Sequence, residues 1–171
     1  MALQCIAAGA QVIVSARRAQ LLHDIFHKDA EIVPLDLTDT GSLDRALQTV
    51  FQNYNHIDFL ILNAGLSQKS LALETSAEVE YQLMQVNYEG AVHLAKAVAA
   101  KMVARKSGQI AVTSSIIGKI GAPYLTAYAA AKHALDGYFE SWRYELRQYN
   151  VGITIATLGF IRTDITKKSL V

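Results

Sequence analysis

Two side chains that can exchange or hold a proton stand four residues apart in the stretch YAAAK, at Tyr128 and Lys132. The surrounding pattern predicts a helix, on which positions i and i+4 share a face, so the lysine nitrogen can approach the phenol oxygen. A nearby positive charge favours the phenolate and lowers the pKa of a tyrosine. Moving that pKa from about 10 to about 7 requires roughly 4 kcal/mol, more than one lysine in a hydrated site supplies. The pair therefore indicates a candidate acid–base centre that needs further groups.

Two further polar residues stand where the same proton chemistry would use them. Ser115 follows a predicted strand one loop before Tyr128, so its hydroxyl can share a hydrogen bond with a substrate oxygen; an ordinary turn serine is the alternative. Asn87 lies inside a predicted helix, where an amide is unfavourable unless its side chain bonds something specific; a solvent-facing asparagine is the alternative. Thr75 and Glu78 have the spacing of a capping box and predict the start of that helix.

A second group of residues would suit a dinucleotide. Arg17 and Arg18 follow the first apolar run, where dinucleotide-binding folds commonly hold an acidic residue against the ribose 2′-hydroxyl. Small neutral residues followed by arginine leave room for a 2′-phosphate and offer it a bidentate donor, which favours NADP(H) over NAD(H). A solvated pair of arginines is the alternative and would leave the choice open. After another apolar run, Asn63, Ala64 and Gly65 can form a turn in which the asparagine ties down the backbone.

Short apolar runs alternate along the chain with longer segments of helical periodicity. We predict strands at residues 11–15, 31–35, 58–62, 109–114 and 152–157. Because these runs are apolar on both faces and are separated by helices, they predict right-handed crossovers and a parallel sheet covered on both sides. The predicted fold class is a doubly wound, Rossmann-like α/β sandwich, in which ligands bind beyond the carboxyl ends of the strands. Small polar residues follow those ends, so we expect the site there.

The composition argues against several other classes of protein. The 171 residues, 51% of them hydrophobic and 18% charged, suit a single globular domain over 1–171. A formal net charge of +1 gives no electrostatic reason to expect nucleic acid as a partner. No apolar run reaches the roughly 18 residues of a membrane helix, so we predict no membrane segment in this chain. The single cysteine, Cys5, and histidines without a metal-ligand pattern predict neither a disulfide nor a metal site.

Five motifs in this order resemble the classical short-chain dehydrogenases/reductases. The motifs are LNAG at 62–65, Asn87, Ser115, YAAAK at 128–132 and LGFIRT at 158–163. They are similar to the NNAG, helix asparagine, active-site serine, YxxxK and PGxxxT of that family, and the resemblance runs from the first residues to the last. The segments SARR, PLDLTDTGS and AAKHAL further resemble the branch that includes member seven of the dehydrogenase/reductase group, near the hydroxysteroid and retinoid reductases.

The resemblance implies an oxidoreductase that moves a hydride between NADP(H) and a carbonyl compound or secondary alcohol, with a lipophilic, steroid-like or retinoid-like substrate. Carried over residue by residue, Tyr128 would be the general acid and base, and Lys132 would lower its pKa and hold the nicotinamide ribose. Ser115 would position the substrate oxygen, and Asn87 would organise a water in the proton relay. The positive charge of the oxidised nicotinamide would add stabilisation that Lys132 alone does not supply. The family also implies a homodimer or homotetramer.

The same resemblance implies a set of residues that contact the cofactor. The set is Arg17, Arg18, Asp36, Leu37, Asn63, Ala64, Gly65, Tyr128, Lys132, Gly159, Ile161 and Thr163. Within it, Asp36 and Leu37 would border the adenine, and residues 63–65 would lie on the adenosine side. Thr163 would meet the carboxamide or the diphosphate.

The sequence departs from the family pattern at three places. Leu62 replaces the first asparagine of NNAG, and Leu158 replaces the proline of PGxxxT, which loosens a turn near the nicotinamide. The family's opening strand and TGxxxGxG turn have no counterpart, and Met1–Ala8 resembles the latter part of the helix that follows them. We therefore expect a chain shortened at both ends, in which strands 11–15 and 58–62 either pair directly or leave two unpaired edges. The loss of the glycine-lined helix start would weaken binding of the pyrophosphate.

Other functions stay open beside the leading one. A shortened chain could persist as a non-catalytic remnant that acts as an oligomerisation or interaction module through the helices around 81–104 and 127–149. An extended-type epimerase or dehydratase shares YxxxK but is disfavoured by LNAG and by the placement of Ser115. Relatives in this branch often carry an N-terminal membrane anchor, so the resemblance allows a full-length form anchored in the endoplasmic reticulum.

Overall fold

Short parallel strands alternate with helices along the chain. The computed structural model describes residues 1–159, 161, 169 and 170, and the chain divides into two compact units, Met1–Asn55 and His56–Val171. All five predicted strands form in the predicted order, and each strand pairing among the described residues is parallel. These observations confirm the predicted Rossmann-like α/β class, while the single domain stays a prediction.

The first unit contains a two-stranded sheet and three helices. Its elements are α1 (Ala2–Ala7), β1 (Ile13–Val14), α2 (Ala19–Phe26), β2 (Glu31–Ile32) and α3 (Thr40–Asn53). The regular strands are shorter than predicted, but the N–H groups of residues 31, 33 and 35 donate to the carbonyls of 12, 14 and 16. Pro34 lies between two of these donors, where its missing N–H removes no hydrogen bond from the pairing. The backbone pairing therefore spans the length that the sequence predicts.

The second unit contains a three-stranded sheet in the order β3-β4-β5. Its elements are β3 (Phe59–Leu62), α4 (Ala77–Met84), α5 (Gly90–Arg105), β4 (Gly108–Ser115), α6 (Thr126–Leu146) and β5 (Val151–Leu158). A π-helical segment, Gln85–Glu89, joins α4 to α5. The central strand β4 pairs with β5 along its whole length, and its last residue is Ser115. The sheet thus carries this serine to its carboxyl edge.

The core of the second unit lies between its sheet and the helices α5 and α6. Both helices contact β4 and β5. Alternate residues of β4, Ile110 and Val112, are buried, as are Met102 on α5 and Phe139 on α6. In β3, Leu62 is buried and Leu60 is partly buried, whereas Phe59 and Ile61 are exposed at 70% and 39%. Burial of the apolar helix faces against one face of the sheet is the main stabilising contribution in this unit.

The start of α4 differs from the sequence prediction. Ser76 is the N-cap, and its hydroxyl accepts a hydrogen bond from the Val79 N–H at 3.4 Å. The Thr75 hydroxyl donates to the carbonyl of Leu71 at 2.9 Å instead. Because the threonine closes the preceding turn, the next hydroxyl caps the helix, and the predicted capping box is wrong by one residue.

The strand edges follow one of the two predicted arrangements. Among the described residues, β2 is the one strand partner of β1 in the first unit, and β4 is the one strand partner of β3 in the second. Each of these two strands keeps one edge without a strand partner, which is the second of the predicted outcomes.

Helix α6 is 21 residues long and carries charged side chains along its length. Of the helices that the structure describes, none combines the length and the apolar character needed to cross a bilayer.

Candidate active site

Tyr128 and Lys132 lie in the first two turns of α6 and are buried, at 9% and 4% exposure. Their helical spacing places the lysine nitrogen 5.9 Å from the centre of the Tyr128 ring. The same nitrogen donates a hydrogen bond to the backbone carbonyl of Thr113 in β4 at 3.0 Å. The lysine is therefore fixed between a helix and the neighbouring strand, beside the phenol.

Burial determines the charge states of this pair. It raises the pKa of the Tyr128 phenol above its usual value, and a hydrogen bond with Ser115 offsets part of that rise. Burial also lowers the pKa of Lys132 from 10.5 to about 8, against the negative charge of Asp136, which raises it. Near neutral pH the phenol thus holds its proton and the lysine is mostly charged. The lowering of the Tyr128 pKa by Lys132 stays a prediction.

Ser115 is a turn residue that also lies beside Tyr128, and its contact with a substrate oxygen stays a prediction. It ends β4 and begins a short 3₁₀ turn, Ile116–Gly118, in which its hydroxyl oxygen accepts a hydrogen bond from the Ile117 N–H at 3.2 Å. The same hydroxyl lies close enough to the Tyr128 phenol to lower its pKa. The turn therefore fixes the position of an oxygen that faces the phenol, and the serine is both a turn residue and a neighbour of the acid–base pair.

Asn87 is buried at 1% exposure within the π-helical segment, so the solvent-facing alternative is wrong. Its side-chain oxygen accepts from the Leu66 N–H at 3.2 Å. Its amide nitrogen donates to the carbonyls of Leu66 and Leu83, each at 3.0 Å. All the polar atoms of this side chain are satisfied by backbone groups, and it holds the loop after β3 in place.

The segment after β3 lies beside the lysine anchor. The Asn63 side-chain oxygen accepts a hydrogen bond from the Thr113 hydroxyl at 3.0 Å. Ala64 and Gly65 lead from this contact to Leu66, which Asn87 holds. Thr113 thus binds Asn63 with its side chain and Lys132 with its carbonyl, and it joins two predicted groups of site residues.

In the first unit, the predicted adenosine residues follow the ends of β1 and β2. Arg17 and Arg18 are exposed, and Leu37 is partly buried. Asp36 accepts hydrogen bonds from the N–H and the hydroxyl of Thr38 at 2.9 and 2.8 Å. Although burial raises the pKa of this carboxyl, the two hydrogen bonds and the charge of Arg17 bring it below its usual value. Arg17 is therefore close enough to Asp36 for their charges to interact.

The predicted cofactor residues of LGFIRT are only partly described. Gly159 follows β5, and among the described residues no atom beyond its chain neighbours lies within 4 Å of the position that a Cβ would take there. Ile161 is 54% exposed. Thr163 lies outside the described residues.

Two residues beside the acid–base pair are missing from the sequence-based prediction. Thr113 belongs to a predicted strand, and its contact with Lys132 uses the backbone carbonyl, which no side-chain pattern reveals. Gln68 is completely buried and hydrogen-bonded to the start of α6. It stands in a polar loop segment, where a solvated side chain is the usual expectation. Both Thr113 and Gln68 lie near the carboxyl end of a strand along the chain, and this position is the feature of the sequence that could have pointed to them.

Replacing Gly118 by alanine should destabilise the second unit. A Cβ there would lie 2.9 Å from Asp136 Oδ2, 3.0 Å from Ser114 Oγ and 3.1 Å from the Lys132 carbonyl, and crowding of this kind costs about 1–3 kcal/mol. The matched control is Gly121→Ala, because nothing lies within 4 Å of its Cβ position. That variant should change stability by less than about 0.5 kcal/mol. Urea unfolding midpoints measure both effects, and equal midpoints for the two variants would contradict the crowding.

Comparison with known proteins identifies several that are similar to this chain. The family model described as short chain dehydrogenase matches residues 1–170. The human protein named dehydrogenase/reductase SDR family member 7 is 38% identical over 182 aligned residues, which cover 99% of this chain and 53% of the human protein. The chain thus spans about half the length of this relative.

Two solved structures are similar to the chain as folds. A short-chain dehydrogenase from Streptomyces avermitilis has a TM-score of 0.91 at 30% identity, covering 96% of this chain and 61% of its own. A metagenomic short-chain oxidoreductase crystallised in complex with NADP has a TM-score of 0.86 at 28% identity, covering 90% of this chain and 73% of its own.

Proposed function

This chain belongs to the short-chain dehydrogenase family, and from that premise we propose that its protein catalyses reversible hydride transfer between NADP(H) and a carbonyl compound or secondary alcohol. The observation that carries the proposal is the convergence of Ser115, Tyr128 and Lys132 beside the carboxyl end of β4. One hydroxyl, one buried phenol and one ammonium group in contact with the same strand end form a proton-transfer centre. We further propose that both compact units belong to one catalytic domain.

The residues present suit a nicotinamide cofactor. The ammonium group of Lys132 carries three donors, and its described hydrogen bond to Thr113 uses one, so two remain for ribose hydroxyls. Gly159 follows the end of β5, and a Cβ at this position would meet no atom of the described residues beyond its chain neighbours within 4 Å. When bound, the cofactor would supply the hydride, which no side chain of the protein carries.

The proton steps follow from the placement of three side chains. In the reductive direction, the Tyr128 phenol gives its proton to the carbonyl oxygen as the carbonyl carbon accepts the hydride, so a carbonyl becomes an alcohol. The Ser115 hydroxyl donates a hydrogen bond to the same oxygen and polarises the carbonyl. The Lys132 ammonium group stabilises the phenolate that remains. In the oxidative direction the phenolate takes the alcohol proton back.

Asn87 has a positioning role in this proposal. Its side chain is occupied by the backbone of Leu66 and Leu83, so it holds the loop that follows the end of β3. A water that reprotonates Tyr128 would bind to backbone groups in this fixed region, which is how the asparagine would organise the relay.

Replacing Arg17 by alanine should remove the preference for NADPH. The exposed guanidinium follows the end of β1, and charged hydrogen bonds to a phosphate are worth about 1.5–3 kcal/mol. We expect the KM for NADPH to rise by roughly 10- to 100-fold, with the KM for NADH nearly unchanged. Arg45→Ala, which removes an exposed arginine of the same unit that is paired with Asp39, is the matched control. An unchanged KM for NADPH would show that Arg17 is a solvated residue, and an equal loss for both cofactors would show that it does not read the 2′-phosphate.

A lipophilic substrate is the second part of the proposal. Two loops flank the start of α6 and carry exposed apolar side chains, with Leu71 at 49% and Leu73 at 101% on one, and Ile120 at 56% and Tyr124 at 52% on the other. The Ser70 N–H donates to the Tyr124 carbonyl at 3.2 Å, which joins the two loops. Apolar groups of this size at the entrance to a polar centre suit a steroid-like or retinoid-like ketone.

The competing proposal is a non-catalytic module that assembles through α4, α5 and α6. It is supported by a cluster of aromatic contacts that runs from Tyr88 to Tyr138 and Trp142, with ring centres 6.0 and 5.5 Å apart. The same surface would serve a homodimer or homotetramer of an active enzyme. Titration of the 171-residue chain with NADPH in a calorimeter separates the two, because a dissociation constant in the micromolar range contradicts a purely structural module.

The decisive experiment is turnover by the complete protein. Consumption of NADPH is followed with a panel of lipophilic ketones and, in reverse, formation of NADPH with the corresponding alcohols. Activity that disappears in the Tyr128→Phe variant supports the proposal. If the protein binds NADPH but consumes none with any ketone of the panel, the proposed hydride transfer is wrong.

A further inference from the structure

Gln68 is a completely buried amide whose hydrogen bonds reach the helix that carries the acid–base pair. Its side-chain oxygen accepts from the N–H groups of Ala127 and Tyr128 at 2.9 and 3.4 Å. Backbone N–H groups can only donate, so these contacts fix which end of the amide faces the helix. Gln68 is therefore bonded to the backbone of the catalytic tyrosine itself, across a separation of 60 residues.

The first turn of α6 needs an outside acceptor. An α-helix leaves the N–H groups of its first turn without partners inside the helix, and a side chain just before the helix usually accepts from them. Here the preceding residue is Leu125, which has no polar side-chain atom. Ala127, Tyr128 and Ala129 are buried at 8–9% exposure, so water does not readily reach this turn. Gln68 supplies the acceptor that the local sequence lacks.

The amide nitrogen of Gln68 also has hydrogen-bond partners. Its nitrogen lies 2.6 Å from the Thr75 hydroxyl, 3.1 Å from the Ser70 hydroxyl and 3.4 Å from the Thr126 hydroxyl. The Thr75 hydroxyl is itself bonded to the Leu71 carbonyl at 2.9 Å. Gln68 is thus anchored in the loop between β3 and α4 and transmits the position of that loop to α6.

Tyr128 is consequently fixed at three points. Its backbone N–H is held by Gln68, its side chain belongs to a buried cluster with Ile117 and Ala129, and its phenol lies close enough to Ser115 for that hydroxyl to lower its pKa. Of these partners, Ser115 ends β4 and Ile117 lies in the turn that follows it, whereas Ala129 belongs to α6 itself. Gln68 holds the first turn of the helix from the loop between β3 and α4, and Lys132 holds its second turn to β4 through the Thr113 carbonyl.

We propose that Gln68 is a positioning residue, a remote cap that holds the start of α6 so that the Tyr128 phenol stays against Ser115. The expected effect on kcat rests on the proposed function, whereas the expected effect on the position of the helix start and of the phenol does not. Misplacement of a reacting group by about 1 Å can cost on the order of 100-fold in rate. Loss of the cap should therefore lower kcat more than it changes KM.

Three variants separate positioning from simple loss of a helix cap. Gln68→Met keeps the size of the side chain and removes its acceptor. Gln68→Glu keeps an acceptor oxygen for both N–H groups, and the Ser70 and Thr75 hydroxyls can rotate to donate to it. Ser76→Ala removes the cap of α4, whose described hydrogen bond is to the Val79 N–H and not to α6, and is the matched control.

The first measurement needs no activity. The 171-residue chain is labelled at tyrosine Cζ, the Tyr128 resonance is assigned with Tyr128→Phe, and amide exchange is followed in residues 125–132. We expect Gln68→Met to shift the Tyr128 resonance and to speed exchange of the Ala127 and Tyr128 amides at least tenfold. Gln68→Glu should restore both toward wild type, and Ser76→Ala should leave both unchanged. Unchanged exchange and an unshifted Tyr128 signal in Gln68→Met would overturn the proposal.

The second measurement is kinetic and is made on the complete protein. We expect Gln68→Met to lower kcat by about 10- to 100-fold with KM changed less than threefold, and Gln68→Glu to recover most of the loss. A kcat within twofold of wild type in Gln68→Met would overturn the proposal even if exchange is faster. If the wild type has no turnover, the proposed function fails, and the resonance and exchange data decide on Gln68 alone. Should Gln68→Met not fold, Thr75→Val removes the shortest anchor of the amide and should shift the same signals by a smaller amount.

Discussion

Replacing Tyr128 by phenylalanine is expected to lower kcat by about 100- to 10,000-fold, because general acid–base catalysis by a positioned side chain contributes that much. The change removes one oxygen and leaves the ring in its buried cluster with Ile117 and Ala129. Substrate and cofactor contacts made by other residues are unaffected, so KM should change little. Steady-state consumption of NADPH with the best ketone of the panel measures the effect.

A second tyrosine on the same helix provides the control. Tyr138 lies in α6 and packs against Tyr88 and Trp142, away from Ser115. The Tyr138→Phe variant removes the same atom from the same helix and should keep kcat within about twofold, as expected for a residue outside the proton transfer. A Tyr128→Phe protein that retains more than a third of the wild-type kcat, with a native fold, would show that the proton comes from another group.

Replacing Lys132 by methionine is expected to reduce kcat by about 100-fold or more while changing how stability depends on pH. The ammonium group that should stabilise the phenolate is lost, which accounts for the loss of rate. A buried charge is also lost, at 4% exposure. Because burial lowers the pKa of Lys132 from 10.5 to about 8, holding the charged form in the fold costs up to about 3 kcal/mol of stability at neutral pH.

The sign of the pH effect follows from which state binds the proton more tightly. The folded-state pKa of Lys132 is below the unfolded one, so between about pH 8 and about pH 10.5 the unfolded chain holds a proton that the folded chain has released. The contribution of Lys132 to the free energy of unfolding therefore rises with pH between about pH 8 and about pH 10.5. Below about pH 8, where the folded protein holds the charged lysine, the full cost of burying that charge is present. The unfolding free energy of the wild type, relative to that of Lys132→Met, should rise by up to about 3 kcal/mol across the window.

Urea unfolding of both proteins at several pH values tests this expectation. Subtracting the unfolding free energy of Lys132→Met from that of the wild type at each pH removes the contribution of the other titrating groups, because both proteins share them. Lys96→Met, which removes an exposed lysine from α5, controls for the change in net charge. A difference that stays constant or falls from about pH 8 to about pH 10.5 would contradict a lowered pKa of Lys132.

Much of the fold could be predicted from the sequence because its strands are short apolar runs bounded by polar residues and glycine. The five runs correspond to five strands, and the i, i+4 spacing of Tyr128 and Lys132 gives their shared helix face without any tertiary information. Ser115 could be placed at the strand end for the same reason. These features are set by local periodicity, which one sequence displays in full.

The remaining features depend on contacts between distant parts of the chain. The hydrogen bond of Gln68 to Tyr128 joins residues 60 positions apart, and nothing in the local pattern of either residue requires it. Thr75 and Ser76 are chemically equivalent as caps, and only the turn that Thr75 closes decides between them. The burial of Asn87 follows from the loop that it binds, which the helical pattern around it does not reveal. Tertiary contacts decided each of these cases.

The π-helical segment Gln85–Glu89 has a consequence for how this chain can vary in length. An α-helix turns by about 100° per residue, so one residue inserted or removed rotates everything beyond it by that angle. The wide turn takes up one extra residue, and it lets Asn87 bind Leu66 while Val98 and Met102 on α5 still point into the core. Deleting one residue here would turn either the amide or the apolar stripe away from its partners. The join between α4 and α5 should therefore tolerate substitutions on its exposed side but reject single-residue deletions, although exposed loops elsewhere accept them.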